Sequence, residues 1–550
     1  MTAIGKHWPL AAALAVLYAA LAVCLAVSLE RNDGHFVYVL DDPYIHMAVA
    51  RNLSEHGVFG ITRYEFSSST SSIDWPLLLA LSYWLTGPGV FAPLVLNVAA
   101  ATAVVWLAYV LLRQRGIPPG LNLVSLLILC FCTPLPAIVF TGMEHTLHVL
   151  LAVGFVFLAA RFLAEEPEAA RASSGGLRAI YFALPPLITM TRYEGAFLVA
   201  VVGLLSVLRR RFRQAAALGV LGAAPVVLSG LVSMAHGWHF LPNSVLLKGR
   251  MPPGSSLDQV LGSLRSTAVT LIQQPHIPAL GIATLLLLLV LLRRDPQRWT
   301  QPKLLIWIVV LTAALHVQFA RTDWFFRYEA YLVASALLVI LVVAYDELLR
   351  GFKPGAAAKP IVACALAALL ALPLASRAAR SLVLIPRVSS VIYEQHYQMA
   401  SFVKRYYSSE AVAANDVGTI NFYADIRNLD LWGLGDLEVA DARLRQRYGP
   451  KAMRRLAAAR GVKIAMVYAD WFDRWYGGLP PQWQCVGQWE IAAADDRRQI
   501  VVSFYAVDSD AKDALAANLR EFSPHLPVQV NQRGPYLQAV GPPVRMAGRP

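Results

Sequence analysis

Apolar runs approaching 20 residues recur along the first 380 or so positions of this 550-residue chain. A run of that length crosses the hydrocarbon core of a bilayer as a helix, which satisfies every backbone N–H and C=O internally. Composition agrees: 57% of the residues are hydrophobic, 15% are charged, and the mean hydropathy is +0.50. A soluble globular chain of this size is excluded. The sequence predicts a polytopic α-helical membrane protein with about 11 transmembrane helices. They fall near 9–29, 91–112, 121–140, 146–163, 178–190, 195–208, 214–235, 277–292, 303–320, 329–345 and 360–376. The run from Leu77 to Leu85 is too short to span and is expected at the interface or against the bundle.

Charge sets the expected orientation. Basic residues gather at alternate ends of the spans: Lys6, Arg113, Arg115, Arg161, Arg171, Arg178, Arg209, Arg210, Arg211, Arg213, Arg293, Arg294, Arg298, Lys303, Arg350, Lys353 and Lys359. Cytoplasmic loops carry such clusters, so the N-terminus is expected in the cytoplasm. The net charge of +13 is then a topology signal and implies no nucleic-acid partner. The first run is long, has no clear small-residue cleavage site and leads straight to a polar loop, so it reads as an uncleaved span. The five cysteines are scattered, with no metal or disulfide spacing.

An odd number of spans puts everything after about 380 on the outer side. There, short apolar runs at Ala411–Ala414, Ile426–Leu431, Val462–Tyr468 and Ile500–Tyr505 alternate with helical stretches at Val391–Tyr407 and Asp441–Arg460. This pattern predicts a C-terminal periplasmic α/β domain. The expected division is a membrane domain over 1–380, with outer-loop helices at 41–75, and an outer domain over 381–550. The end, from about Pro524, is rich in Pro, Gly and Arg and is expected to be loosely ordered.

The first outer loop carries Asp41-Asp42-Pro43-Tyr44-Ile45-His46. Asp42-Pro43 reads as a helix start, with Asp42 as cap and Pro43 at the first helical position. The helix is expected to run to about Glu55 and stop at Gly57, with Met47, Ala50 and Leu53 as its apolar stripe. Capping accounts for one Asp. The second would repel it unless a positive group meets the pair. Ionisable groups beside a bilayer mark functional sites.

Other ionisable and polar residues share that outer side: Arg51, Asp74, Glu144, His145, Arg192, Glu194, Asn243, Lys248, Asp323 and Arg327. Carboxylates, isolated cations and aromatics on one face suit a polar, anionic substrate at the membrane surface. A carboxylate can serve as general base toward a hydroxyl. Lys and Arg can hold a phosphate leaving group. Asp41 and Asp42 could also bind a divalent cation, magnesium, manganese or calcium, that bridges phosphates. Each residue also has a plain structural alternative, such as a cap at Glu144 or an ion pair between Arg192 and Glu194.

With these residues in view, the chain resembles the GT-C family of polyprenyl-phosphate-dependent glycosyltransferases, and within it the arabinofuranosyltransferase-like group. Asp41-Asp42-Pro43-Tyr44-Ile45 through Ala50-Arg51-Asn52-Leu53 is similar to that group's first outer-loop signature. Ser69-Thr70-Ser71-Ser72-Ile73-Asp74-Trp75-Pro76, Thr141-Gly142-Met143-Glu144, Arg192-Tyr193-Glu194-Gly195 and Leu241-Pro242-Asn243-Ser244 with Lys248 follow in the group's order. Asn415-Asp416-Val417-Gly418-Thr419-Ile420 and Asp430-Leu431-Trp432-Gly433-Leu434 resemble its outer-domain signature.

The resemblance implies that a sugar passes from a polyprenyl-phosphate-linked donor to a hydroxyl of a glycan, lipid or protein acceptor, at a bacterial inner membrane. It implies Asp41 as base, Asp42 as a positioning group, Lys248, Arg192 and Arg327 as phosphate holders, and Tyr44, His46, Glu144, Glu194 and Asn243 as substrate contacts. Two other classes stay open on the residues alone: a multi-span transporter, and a membrane-anchored assembly protein of the cell envelope.

Overall fold

The computed structural model describes residues 4–165, 175–248, 257–295, 297, 299–349, 358–494 and 499–538. Arg171, Arg298, Arg350 and Lys353, counted above among the inner basic residues, lie outside these. The chain divides into two compact units, Met1–Glu30 with Thr70–Pro386 and Arg31–Ser69 with Arg387–Pro550. Two boundaries differ from the sequence expectation. The break falls at Pro386, and the first outer loop groups with the C-terminal residues instead of with the spans.

The first unit is helical. Among the described residues, eight helices are long and apolar enough to cross a membrane, from His7–Arg31 to Cys364–Tyr406. Two shorter apolar helices, Pro119–Cys132 and Gly195–Leu208, accompany them. The helix His145–Ala164 is central. It packs against Ala92–Gln114, Gly175–Thr191, Gln301–Phe319 and Ala330–Ala344. Ala330–Ala344 is buried almost throughout, as its apolar side chains on every face require. The short helix Asp74–Thr86 packs on Ala92–Gln114 and Gly175–Thr191, one of the two placements its length allowed.

The second unit is built on a six-stranded mixed sheet. Its strands are β1 (Ala411–Ala414), β2 (Arg427–Asp430), β3 (Ile464–Val467), β4 (Gln484–Ala492), β5 (Gln499–Ala506) and β6 (Asn531–Arg533). Their order is β2-β1-β3-β5-β4-β6. β2, β1 and β3 are parallel; β5, β4 and β6 continue antiparallel. The sequence signal finds β1, β2, β3 and β5. It misses β4, where Gly487 and Gln488 interrupt the apolar run, and β6, which lies in the segment expected to be loosely ordered. Asn531–Arg533 pairs with Gln488–Glu490, so that segment is ordered as far as 538. The helical stretch expected over Asp441–Arg460 is two helices, Leu437–Leu444 and Pro450–Ala459: the first ends where Gln446 turns left-handed, with φ 55°, and Pro450 opens the second.

The first-loop helix runs Asp42–His56, and Gly57 ends it in the left-handed conformation with its N–H on Asn52 and Leu53 carbonyls. Its stop is as the sequence predicts; its start is not. Asp41 holds the N-cap position, and its side chain makes no bond to its own helix. Instead it turns to a second helix of the same unit, Gly418–Tyr423. Asp41 Oδ2 accepts the Gly418 N–H at 2.6 Å, and Oδ1 accepts the Thr419 N–H at 2.7 Å and the Thr419 hydroxyl at 2.6 Å. At the other end, Arg51 donates to the Phe422 and Asn421 carbonyls at 2.5 and 3.1 Å. An anion meets the positive end of the short helix and a cation meets its negative end, so both charges complement its dipole. The apolar stripe also gives way: Pro43 to Ala50 are all buried, polar His46 included.

This close approach constrains position 418. A Cβ there would lie 2.1 Å from the Asp41 carbonyl oxygen, and the clash is with backbone. Gly418→Ala is expected to destabilise the protein by about 1–3 kcal/mol or more. Gly203→Ala, in a helix where a Cβ meets nothing within 4 Å, is the control expected to keep stability or raise it by up to about 1 kcal/mol. Thermal unfolding of the two purified variants checks this.

Candidate functional site

In the first unit, four loops that the sequence assigns to the outer side converge on Arg192. This residue sits between the helices Gly175–Thr191 and Gly195–Leu208 and is almost completely buried. Its Nη1 donates to Glu144 Oε1 at 2.8 Å and to the Ser71 hydroxyl at 3.1 Å. Nε and Nη2 form a fork on Glu194, at 3.1 and 2.6 Å. Its guanidinium carbon lies 5.5 Å from the Tyr328 ring centroid. Burial alone would raise the Glu194 carboxyl, yet the adjoining Arg192 holds it down at about 2. For Arg192 burial pulls the other way, and the two carboxylates still raise it above its ordinary value. One guanidinium thus joins two carboxylates in a dry setting, with geometry that lysine cannot reproduce.

Asp74 stands beside this group. Ser72 donates to its Oδ1 at 2.8 Å and Thr191 to its Oδ2 at 2.6 Å. Burial is the main reason its carboxyl is pushed up to about 6; the nearby Glu144 charge adds to the rise, while the two hydroxyls oppose it. The Ile73 N–H bonds to the Met190 carbonyl at 2.8 Å, and the Trp75 indole bonds to the Gly142 carbonyl at 3.2 Å. Segments 70–75, 141–145 and 190–194 are therefore stitched to one another.

Arg327 is also buried. Its guanidinium lies over the Tyr328 ring at 4.9 Å, bonds to the Tyr328 hydroxyl at 3.3 Å and contacts Met143 Sδ. Arg192 and Arg327 thus share Tyr328. The loop that presents them is strained. Asp323, Trp324, Phe325 and Phe326 all have positive φ, of 70°, 47°, 62° and 63°. A left-handed turn of non-glycine residues costs roughly 1–2 kcal/mol per residue. Buried Glu329 and Arg377 hold it in place. Glu329 Oε2 accepts the Asp323 N–H at 2.6 Å, Arg377 donates to the Phe326 carbonyl at 3.0 Å, and Arg377 pairs with Glu329 at 2.7 Å. His276 Nε2 stands 3.1 Å from Arg377 and 3.4 Å from Glu329.

Sequence reasoning missed Ser72, Thr191, Tyr328, Glu329, Arg377 and His276. Arg377 carried a usable signal, an arginine at the edge of an apolar run, just beyond the expected end of the last span. Asn243 is buried at the start of a six-residue helix, Asn243–Lys248, and Lys248 is half-buried in its last turn. His145 Nδ1 lies 3.8 Å from Glu144.

In the second unit, Asp41 is engaged by the three donors described above, whereas Asp42 occupies the first helical position and is half-buried. The expectation that Asp42 takes the cap position and Asp41 stays unengaged is not met: Asp41 stands at the cap position and its carboxylate is bonded to Gly418 and Thr419. Tyr44 is fully buried, its hydroxyl 3.1 Å from the Tyr38 N–H and its ring against Phe422 and Tyr423. His46 is buried as well. At the carboxyl end of β1, Asp416 lies 3.0 Å from His396 Nε2, which also meets the Tyr468 hydroxyl at 2.8 Å. Asp430, at the end of β2, accepts the N–H groups of Trp432, Gly433 and Gly435 at 2.8, 3.0 and 2.7 Å and shapes that turn. Among the described residues, no group of three or more His, Cys, Asp or Glu side chains is placed to hold a metal ion.

A polytopic helical unit joined to a mixed-sheet unit is the GT-C fold. Two crystal structures of ArnT from Cupriavidus metallidurans share it, at 13% sequence identity. The one bound to undecaprenyl phosphate matches with a TM-score of 0.50, covering 93% of this chain and 99% of that one. The apo structure matches with a TM-score of 0.51, covering 91% and 99%. A family profile described as a domain of unknown function (DUF8728) matches residues 388–505. No curated protein matches the chain.

Two expectations follow from the first-unit cluster. Arg192→Ala would leave Glu144 and Glu194 buried without their shared cation, and should cost about 3–5 kcal/mol of stability; unfolding in detergent measures it. Asp74 gives a pH dependence. Its folded carboxyl, near 6, lies above the ordinary 3.8. The folded state therefore keeps a proton that the unfolded state loses, and stability falls as pH rises toward and through about 6. Asp74→Asn removes that slope. Melting temperatures of both proteins at about pH 5 and about pH 8 should show the variant gaining on the wild type at the higher pH.

Proposed function

We propose that the protein is a polyprenyl-phosphate-dependent glycosyltransferase of a bacterial inner membrane. It moves a sugar, of arabinofuranose type on the sequence resemblance, from a polyprenyl-phosphate donor to an acceptor hydroxyl on the outer side. The N-terminus is cytoplasmic and the C-terminal unit periplasmic in this reading, following the distribution of basic residues. The observation that carries it is the fold shared over nearly the full length of both chains with ArnT, a structure of which holds undecaprenyl phosphate. The order of motifs along this sequence supports it independently.

The chemistry needs one base and one holder for the leaving phosphate. A carboxylate takes the acceptor proton, the hydroxyl oxygen attacks the anomeric carbon, and the bond from that carbon to the phosphate oxygen breaks. Polyprenyl phosphate departs with the electron pair. Asp42 is the better base. Asp41 is already met by two N–H groups and a hydroxyl, so its carboxylate oxygens are committed to the helix Gly418–Tyr423. Asp41 instead positions the helix on which Asp42 sits. Arg327 and Lys248 hold the phosphate. Arg192, whose fork is taken up by Glu194 and Glu144, frames that site. Asn243, Glu144 and Glu194 orient these cations, and Tyr44 and His46 keep the Asp42 helix in place by packing.

Membranes containing the protein, supplied with a synthetic polyprenyl-phosphate arabinose, test this. Asp42→Asn is expected to lower transfer by about 100-fold or more with the melting temperature kept. Asp41→Asn should lower melting temperature and transfer together. Full transfer by Asp42→Asn would remove it as base. Transfer unchanged by EDTA would exclude a divalent cation at the Asp pair.

A further inference from the structure

The carboxyl ends of the parallel strands in the second unit carry a group of side chains that the proposed reaction does not use. The chain leaves β1 for β2 on one side and returns to β3 on the other side of β1. The carboxyl ends of β1 and β3 therefore flank a topological switch point, where open α/β sheets form their binding crevice. Asn415 and Asp416 directly follow β1; Tyr468 directly follows β3; Trp432 lies two residues beyond β2.

These residues are tied together. Asn415 Oδ1 accepts the Tyr468 N–H at 3.1 Å. The Tyr468 hydroxyl and Asp416 both meet His396 Nε2. Trp471 stacks on the Tyr468 ring, with centroids 5.5 Å apart and 24° between planes. Trp432 meets Trp471 edge-on at 5.0 Å. Trp432 and Trp471 are both half-buried, in a unit whose core aromatics are otherwise enclosed. Within this group, Asn415 Nδ2 and His396 Nδ1 are buried without a hydrogen-bond partner among the described residues. Asn415 is 2% exposed and His396 9%. Buried polar atoms are nearly always paired, so two orphans beside one crevice call for a partner supplied from outside.

The chemistry of the group selects the partner. A carboxylate, an amide, an imidazole and a phenol hydroxyl can donate to and accept from several hydroxyls at once. Half-exposed Trp faces offer an apolar plane. Asp416 and Asp41 repel phosphate, and Arg443 is stacked 4.3 Å over Trp432 and bonded to that residue's carbonyl. We propose that this crevice binds a neutral saccharide, stacked on Trp471 and hydrogen-bonded by Asn415, Asp416 and His396. Resting on the glycosyltransferase reading, the saccharide is the glycan acceptor, so that this subsite chooses the acceptor while the first unit holds the donor.

Binding can be measured without turnover. The full-length protein in lipid nanodiscs is titrated with neutral hexasaccharides of arabinose, galactose, mannose and glucose, by tryptophan fluorescence and calorimetry. At least one is expected to bind saturably, with Kd below about 10 mM. Trp471→Ala should weaken it about tenfold, as should Asn415→Ala. Trp475→Ala, removing an indole that is 67% exposed on the same helix, should leave binding within about twofold. Because Asn415→Ala could perturb the fold, Trp471→Ala with an unchanged melting temperature is the deciding variant. Binding of undecaprenyl phosphate should be the same in all of them.

Wild-type protein that binds none of the four sugars, or Trp471→Ala that binds like wild type, overturns the site. Competition by inorganic phosphate would overturn the neutral ligand. Saccharide binding that depends on Trp471 in a protein with no transferase activity would leave the site standing and remove the acceptor role. Transfer with acceptor KM unchanged by Trp471→Ala would leave the glycosyltransferase reading standing and remove the acceptor role of this site.

Discussion

A charge taken out of water must be neutralised where it sits, and both units of this protein are arranged around that requirement. Arg192 is buried with Glu144 and Glu194, Arg377 with Glu329 and His276, and Asp41 with two backbone N–H groups and a hydroxyl. Removing a partner from any of these would strand a buried charge, and that penalty exceeds what a single exposed pair contributes. Each network therefore dictates which loops stay together. In the first unit the loops at 70–75, 141–145, 190–194 and 321–329 cannot separate without breaking one. In the second, the helix Asp42–His56 and the helix Gly418–Tyr423 are joined at both ends.

These constraints separate holding from acting. Arg192 has its donors aimed at protein carboxylates, which suits a frame. Arg327, carried on a left-handed turn that Glu329 and Arg377 stabilise, is presented by a conformation the chain would not adopt unaided. Strain of this kind persists only where surrounding contacts over-determine it, and such places are commonly functional. The same logic divides the two neighbouring aspartates. Asp41 is committed to structure through the Gly418 and Thr419 donors.

Much of this was legible beforehand, for local reasons. The long apolar runs, the stop at Gly57, and strands β1, β2, β3 and β5 follow from periodicity and composition over short windows. Strand β6 was not legible because Asn531, Gln532 and Arg533 are weak strand formers and its partner β4 lies about forty positions back, and β4 was not because Gly487 and Gln488 break its apolar run at the bulge. Arg377 and Glu329 look unrelated in sequence, lying on two different helices; only their ion pair reveals a common task.

By itself the sequence determined the class of the molecule: a chain of apolar spans followed by a C-terminal α/β domain, with a set of polar motifs on the loops between. Hydrophobic length and turn chemistry are local quantities, so they can be read without a fold. Which motif answers which is a tertiary matter. That Asp41-Asp42 would meet Val417-Gly418-Thr419 across more than 370 positions, that Arg192 would gather two glutamates, and that Asn415 would reach Tyr468 were settled by packing. Buried donors and acceptors must find partners wherever the fold brings them.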